Sequence, residues 1–242
     1  MSMPASSPSV SPAPLSLSQI EARFRNRIWR GDALGASDDP VISSGFQGLD
    51  KELPGGGWPT RNLTELLLPA EGLGEIRLLS QALKQITRSE RNILLVAPPY
   101  IPYMHAWEHL GIDSRCIVIV RVSKPAERLW TLEQGIRSAA FGTVIGWLPE
   151  ANQQTMRKLQ ILSRAAASLV FLFRPARAQF EPSAAPLRIL LSSVREHSHT
   201  LSLYLLKRRG APFVLPIRIT LPQAAVFSGS AELKPALIHS YC

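Results

Sequence analysis

The sequence predicts an α/β fold: a mostly parallel sheet flanked by helices, with an antiparallel C-terminal extension. Three observations predict it. Between residues 63 and 173, apolar segments of strand length alternate with helical patterns, which implies parallel strands joined by right-handed crossovers. At 63–76 an apolar strand, a glycine-containing turn and a helix follow one another, the outline of a phosphate-binding loop. After Pro175 the helical pattern stops, and strand segments follow with short polar turns between them.

The elements follow in order. Residues 1–16 are mostly Ser, Pro and Ala, too poor in large apolar side chains to offset the cost of ordering, and are expected to be a disordered tail. Residues 17–40 are expected to be an amphipathic helix and linker. Ile20, Phe24 and Ile28 recur at i, i+4 and i+8, with Arg23, Arg25, Arg27 and Arg30 around them, and Gly31 ends the pattern. The main domain is placed at 41–222. Its strands are expected at 63–68, 93–97, 116–121, 143–148 and 168–173, with helices near 75–88, 102–110, 125–140 and 151–166. The extension takes strands near 187–193, 200–206 and 213–220. Residues 223–242 form a flexible C-terminal tail whose apolar patch, Ala236, Leu237 and Ile238, reads either as a partner-binding peptide or as a frayed end.

Composition narrows the class. A chain of 242 residues with 45% hydrophobic and 19% charged residues suits a globular protein with one substantial core. No apolar run approaches the roughly 18 residues of a membrane span. No secretory signal pattern opens the chain, and the two cysteines, Cys116 and Cys242, make no disulfide framework, so a cytoplasmic location is expected. The net charge of +9 suits an acidic partner or nucleic acid, and equally plain solubility.

The phosphate-loop frame is filled with the wrong residues. A working loop reads G-x-x-x-x-G-K-[ST], with the lysine on the outer phosphates and the hydroxyl on magnesium. Here Pro69 opens the frame, Gly74 closes it, Glu75 stands for lysine and Ile76 for the hydroxyl. A carboxylate beside a triphosphate is repulsive, and an isoleucine offers no oxygen.

The flanking blocks resemble the RecA superfamily. Residues 43–59 read S-x-G-F-x-x-L-D-x-E-L-P-G-G-G-W-P, and 204–213 place basic residues before A-P-F. Within that superfamily the chain is similar to the ImuA family, which is RecA- and SulA-like and belongs to bacterial SOS mutagenesis operons. The shared pattern adds W-R-G at 29–31, L-T-E-L-L at 63–67, A-P-P at 97–99, L-F-R-P at 172–175 and L-L-K-R-R-G at 205–210, and covers roughly residues 28–222. The resemblance implies a RecA-like fold. It also implies a role in SOS-induced, error-prone translesion synthesis beside ImuB, a polymerase-like protein, and an alternative catalytic subunit of polymerase III, with possible contact to RecA. Against the RecA pattern, Trp147 takes the place of the aspartate that supports magnesium, and Pro99 that of the glutamate that activates water. A non-catalytic accessory protein is therefore expected, with no cofactor and no metal. The alternative is a SulA-like inhibitor of cell division that binds FtsZ.

Binding candidates remain. Ile20, Phe24, Ile28 and Trp29 are the first candidate partner contact, packing on the chain's own sheet being the other reading. Lys207, Arg208 and Arg209 read as an anion- or DNA-facing patch, or as a solvated turn. The loops at 149–153 and 176–186 look short for RecA-like DNA binding, although the second carries Arg177, Phe180 and Glu181, and Arg157, Lys158 and Arg164 lie nearby in sequence. His105, Glu108 and His109 match H-x-x-E-H, a zinc motif that five-residue chance also produces. A surface helix is the preferred reading.

Overall fold

The computed structural model describes residues 39–194, 197–210 and 215–223. Residues 1–38 and 224–242 lie outside the described residues, and with them Ile20, Phe24, Ile28, Trp29, both expected tails and Cys242.

The chain opens on a two-stranded antiparallel ribbon, β1 (Val41–Ile42) and β2 (Trp58–Pro59), enclosing the short helix α1 (Gln47–Asp50). The central strand β3 (Leu63–Leu68) leads into α2 (Glu75–Arg88). Alternation continues through β4 (Asn92–Val96), α3 (Met104–His109), β5 (Ile117–Val120), α4 (Pro125–Arg137), β6 (Phe141–Trp147), α5 (Gln153–Ala165) and β7 (Leu169–Pro175). Three strands complete the chain: β8 (Leu187–Val194), β9 (His197–Lys207) and β10 (Ile217–Thr220).

Eight strands form one sheet in the order β10-β9-β8-β3-β7-β6-β4-β5. The six from β8 to β5 run parallel, whereas β9 is antiparallel to β8 and β10 to β9. The expected antiparallel extension is therefore two strands, not three. Residues 176–186 carry the chain back across the sheet, so β8 joins β3 in parallel, pairing Thr64 with Leu187.

Period-two alternation divides the core. Leu66, Ile93, Leu95, Ile145 and Phe171 face α2, whose Leu78, Leu79, Ala82, Leu83 and Ile86 form one buried stripe. Leu94, Val96, Val144, Val170 and Leu172 face the other way, onto Leu132 and Ile136 of α4 and Met156 and Leu159 of α5. A sheet covered on both faces explains why these strands read as unbroken apolar runs. Helix ends follow local chemistry: Pro125 starts α4, and the Asn152 side chain accepts the Thr155 N–H at 2.8 Å to start α5.

The block at 43–59 has a structural basis. Asp50 accepts from Ser43 Oγ at 2.6 Å and from the Ser44 N–H at 2.8 Å, which closes the turn before α1. That turn delivers Leu49 and Trp58, both fully buried, to the core, where Trp58 meets Phe171 edge-on at 5.3 Å. Burying side chains of this size stabilises by about 2–3 kcal/mol each. No helix among the described residues is long and apolar enough to cross a membrane.

Candidate functional site

The loop at 69–74 joins the central strand β3 to α2, where exposed N–H groups and the helix N-terminus ordinarily hold an anion. Here the chain supplies its own. The Glu75 side chain turns back, and its two oxygens accept the Gly72 N–H at 3.1 Å and the Gly74 N–H at 3.0 Å. Glu75 is only 6% exposed. Gly74 has φ of 102°, and a Cβ there would stand 2.6 Å from Leu221 Cδ1 and 2.9 Å from Arg77 Nη2. The turn thus requires glycine for backbone and for space. Ile76, at the hydroxyl position, packs against the core with Leu73.

The other two altered positions come together beside this loop. Pro69, Pro99 and Trp147 line one cavity of about 590 Å³ beyond the C-terminal ends of β3, β4, β6 and β7. Open α/β sheets bind ligands at those strand ends. Trp147 is buried against Phe173, ring centres 5.0 Å apart. Among the residues lining the cavity, Glu71 is the one carboxylate, while Arg128, Arg174 and Arg177 are cations. Arg174 is paired beneath the wall, so Arg128 and Arg177 are the cations that face Glu71 there.

Below the cavity lies an ionic network that the sequence reading missed. Glu65 and Arg174 are fully buried in neighbouring strands, with Arg174 Nη1 donating to Glu65 Oε1 at 2.7 Å. Arg188 Nε donates to Glu65 Oε2 at 2.6 Å and its Nη2 to the Ala178 carbonyl at 2.7 Å. Arg174 Nη2 reaches Glu181 at 2.6 Å. The parallel register sets Glu65 opposite Arg188, and alternation puts Arg174 on the same face. The legible signal was a charge inside each of three apolar strands. Charges so placed are retained only when paired. The network ties the segment at 176–181 to the sheet centre and so fixes Arg177 at the cavity wall.

The basic run separates. Lys207 Nζ donates to the Ser183 carbonyl at 2.9 Å, Arg208 Nη1 pairs with Glu52 at 2.8 Å, and Arg209 lies 3.8 Å from Asp39. Desolvation, with Arg188 next in effect, draws the Lys207 ammonium below its ordinary pKa. The Arg208–Glu52 pair joins two blocks of the sequence pattern, 205–210 to 43–59, so Arg208 clamps the N-terminal ribbon. Lys158 pairs with Glu133 at 2.6 Å and Arg164 with Asp39 at 2.9 Å, while Arg157 is exposed.

The H-x-x-E-H segment forms α3, which buries Trp107 and keeps Glu108 outside. Glu108 accepts from Ser114 Oγ at 2.6 Å and lies 3.3 Å from His105 Nδ1; those contacts, the Ser114 bond first, hold its carboxyl below the usual glutamate value. His109 Nδ1 lies 2.7 Å from the His105 carbonyl. Among the described residues no group of three or more His, Cys, Asp or Glu side chains is placed to hold a metal ion.

No family model matches this chain. It is similar to proteins named cell division inhibitor SulA. The one from Edwardsiella piscicida is 24% identical over 109 residues, 45% of this chain and 65% of that protein. The one from Yersinia pestis (strain Pestoides F) is 23% identical over 100 residues, 41% of this chain and 59% of that protein. The chain thus matches less than two thirds of either relative, a weak similarity that reaches SulA and does not single out the ImuA family.

Proposed function

We propose that this chain is a non-catalytic RecA-like accessory protein of SOS-induced, error-prone translesion DNA synthesis, acting through protein–protein contacts. The observation that carries the non-catalytic part is the Glu75 carboxylate on the Gly72 and Gly74 N–H groups. A phosphate entering the loop must displace a buried anion and then lie beside it. Trp147 and Pro99 on the adjoining cavity wall add no oxygen ligand. Support for the mutagenesis role is the ImuA-like combination of blocks across residues 28–222. The partners proposed are an ImuB-like polymerase homologue, an alternative polymerase III catalytic subunit and RecA, with Ile20, Phe24, Ile28 and Trp29 as the first contact. DNA contact is proposed through Lys207, Arg208 and Arg209, of which Lys207 and Arg209 are exposed, with Arg157 a further exposed cation.

A second reading has an observation of its own. The similarity to SulA favours a division inhibitor that binds FtsZ, and the comparisons support it at least as well. One cell experiment separates the two. Deleting the gene should abolish damage-induced mutation, and overexpression should leave cell length normal. Filamentation on overexpression, with induced mutation intact in the deletion strain, would establish the inhibitor instead.

A further inference from the structure

Resting on the non-catalytic role proposed above, we infer that the cavity at the C-terminal ends of β3, β4, β6 and β7 is a docking site for an acidic, apolar peptide segment of a partner protein. Three observations point there. With Arg174 already paired to Glu65 and Glu181, the cavity wall still carries two arginines, Arg128 and Arg177, against the single carboxylate of Glu71. Arg177 is exposed, and no ion pair engages it among the described residues. The wall also holds unspent donors. Arg174 is 2% exposed and Trp147 8%, and Arg174 Nε and Trp147 Nε1 are buried without a hydrogen-bond acceptor, as is Arg128 Nε. Such donors are uncommon in folded proteins, and these three adjoin the cavity, whereas Trp58 Nε1 and Thr143 Oγ1, also without a partner, do not.

The surroundings favour a chain segment over a small anion. Tyr100 is 68% exposed at the cavity wall, Ile101 beside it is 74% exposed, and Phe180, at the end of the turn that carries Arg177, is 84% exposed. Large apolar side chains clustered around a cationic pocket are the composition of protein interfaces. A second cavity of about 450 Å³, lined by Arg121 and Ser123 and by no carboxylate, shares Ala97, Pro99 and Arg128 with the first, so the depression continues on that side, whereas the cavity past Arg177 carries Glu150 and Glu181. A small ligand buries most of its surface in one pocket. Here Ile101 and Phe180 lie outside the pocket's lining, and a ligand that reaches them extends beyond it. An acidic side chain entering toward Arg128 and Arg177, with Leu or Phe neighbours on Tyr100 and Ile101, meets both features.

The test uses the full chain and a labelled pool of eight-residue peptides mixing Asp and Glu with Leu and Phe, followed by fluorescence anisotropy. The acidic pool should bind at micromolar concentration, more weakly as salt rises. A pool with Lys and Arg replacing the acids should not bind. R177E and Y100A change exposed side chains outside the ionic network, and each should weaken binding by about tenfold or more while leaving the melting temperature unchanged. Acidic-pool binding that is millimolar or weaker, or unchanged in both variants, overturns the inference, as does equal binding of the basic pool. Competition by inorganic pyrophosphate with no peptide effect of R177E assigns the cavity to a small phosphate anion instead. A parallel titration with ATP and magnesium keeps the two proposals apart: ATP binding refutes the non-catalytic role, whereas loss of peptide binding without ATP binding refutes the docking site alone.

Discussion

Replacing Glu75 with alanine tests the loop chemistry directly. The substitution removes both acceptors of the Gly72 and Gly74 N–H groups, at 3.1 and 3.0 Å. Hydrogen bonds to a charged group contribute about 1.5–3 kcal/mol each. A carboxylate at a helix N-terminus contributes about 0.3–1 kcal/mol more. Water entering the emptied loop rehydrates the donors and returns much of the first term, and alanine's helix propensity returns a few tenths. The net loss is about 2 kcal/mol. For a folded unit of this size, about 1 kcal/mol moves the melting temperature by roughly 2–4 °C, so Glu75→Ala should melt about 4–8 °C lower. The emptied cradle should also become an anion site. Sulfate at tens of millimolar should raise the melting temperature of the variant by more than that of the parent, through mass action on the folded state. A variant that melts with the parent, or equal sulfate stabilisation of both, would refute the idea that Glu75 fills the loop.

Two further outcomes follow from the ionic groups. Glu65→Gln leaves Arg174 and Arg188 with a neutral partner in a fully buried site, and should lower stability in urea by about 3–5 kcal/mol, the cost of breaking a buried pair. Arg208→Glu sets a carboxylate against Glu52 and should destabilise the fold, whereas Arg209→Ala, which gives up only a 3.8 Å pair with Asp39 from a side chain 46% exposed, should leave melting nearly unchanged. If the basic run contacts DNA, the salt slope of DNA binding should flatten in the Arg209 variant; identical slopes in variant and parent would leave that end of β9 as a solvated turn.

The parallel core was legible because strands buried on both faces read as short apolar runs, and the helices between them carry one-sided stripes. β3 and α2 fall where the sequence puts them, at Leu63–Leu68 and Glu75–Arg88. Helix ends were less legible: the pattern near 125–140 stops at Arg137, because Ala139 takes a left-handed φ of 54° before β6. The parallel entry of β8 was not legible, since strand direction is set by the path of residues 176–186 and not by periodicity. At the site, Pro69, Pro99 and Trp147 could be named from motif frames, and the fold gathers them. The inward fold of Glu75 could not be read, because the same residue type serves equally on a solvated first turn. Arg128 and Arg177 lie 49 residues apart in sequence (177 minus 128), and only the sheet topology brings them to one cavity.

Titration calorimetry with ATP and magnesium on the full chain tests the central claim most directly. With Glu75 seated on the loop N–H groups, and with proline and tryptophan at the expected acidic positions, the account predicts no binding heat at millimolar nucleotide and no phosphate release. Micromolar affinity, or turnover that disappears when Gly74 is substituted, would contradict it.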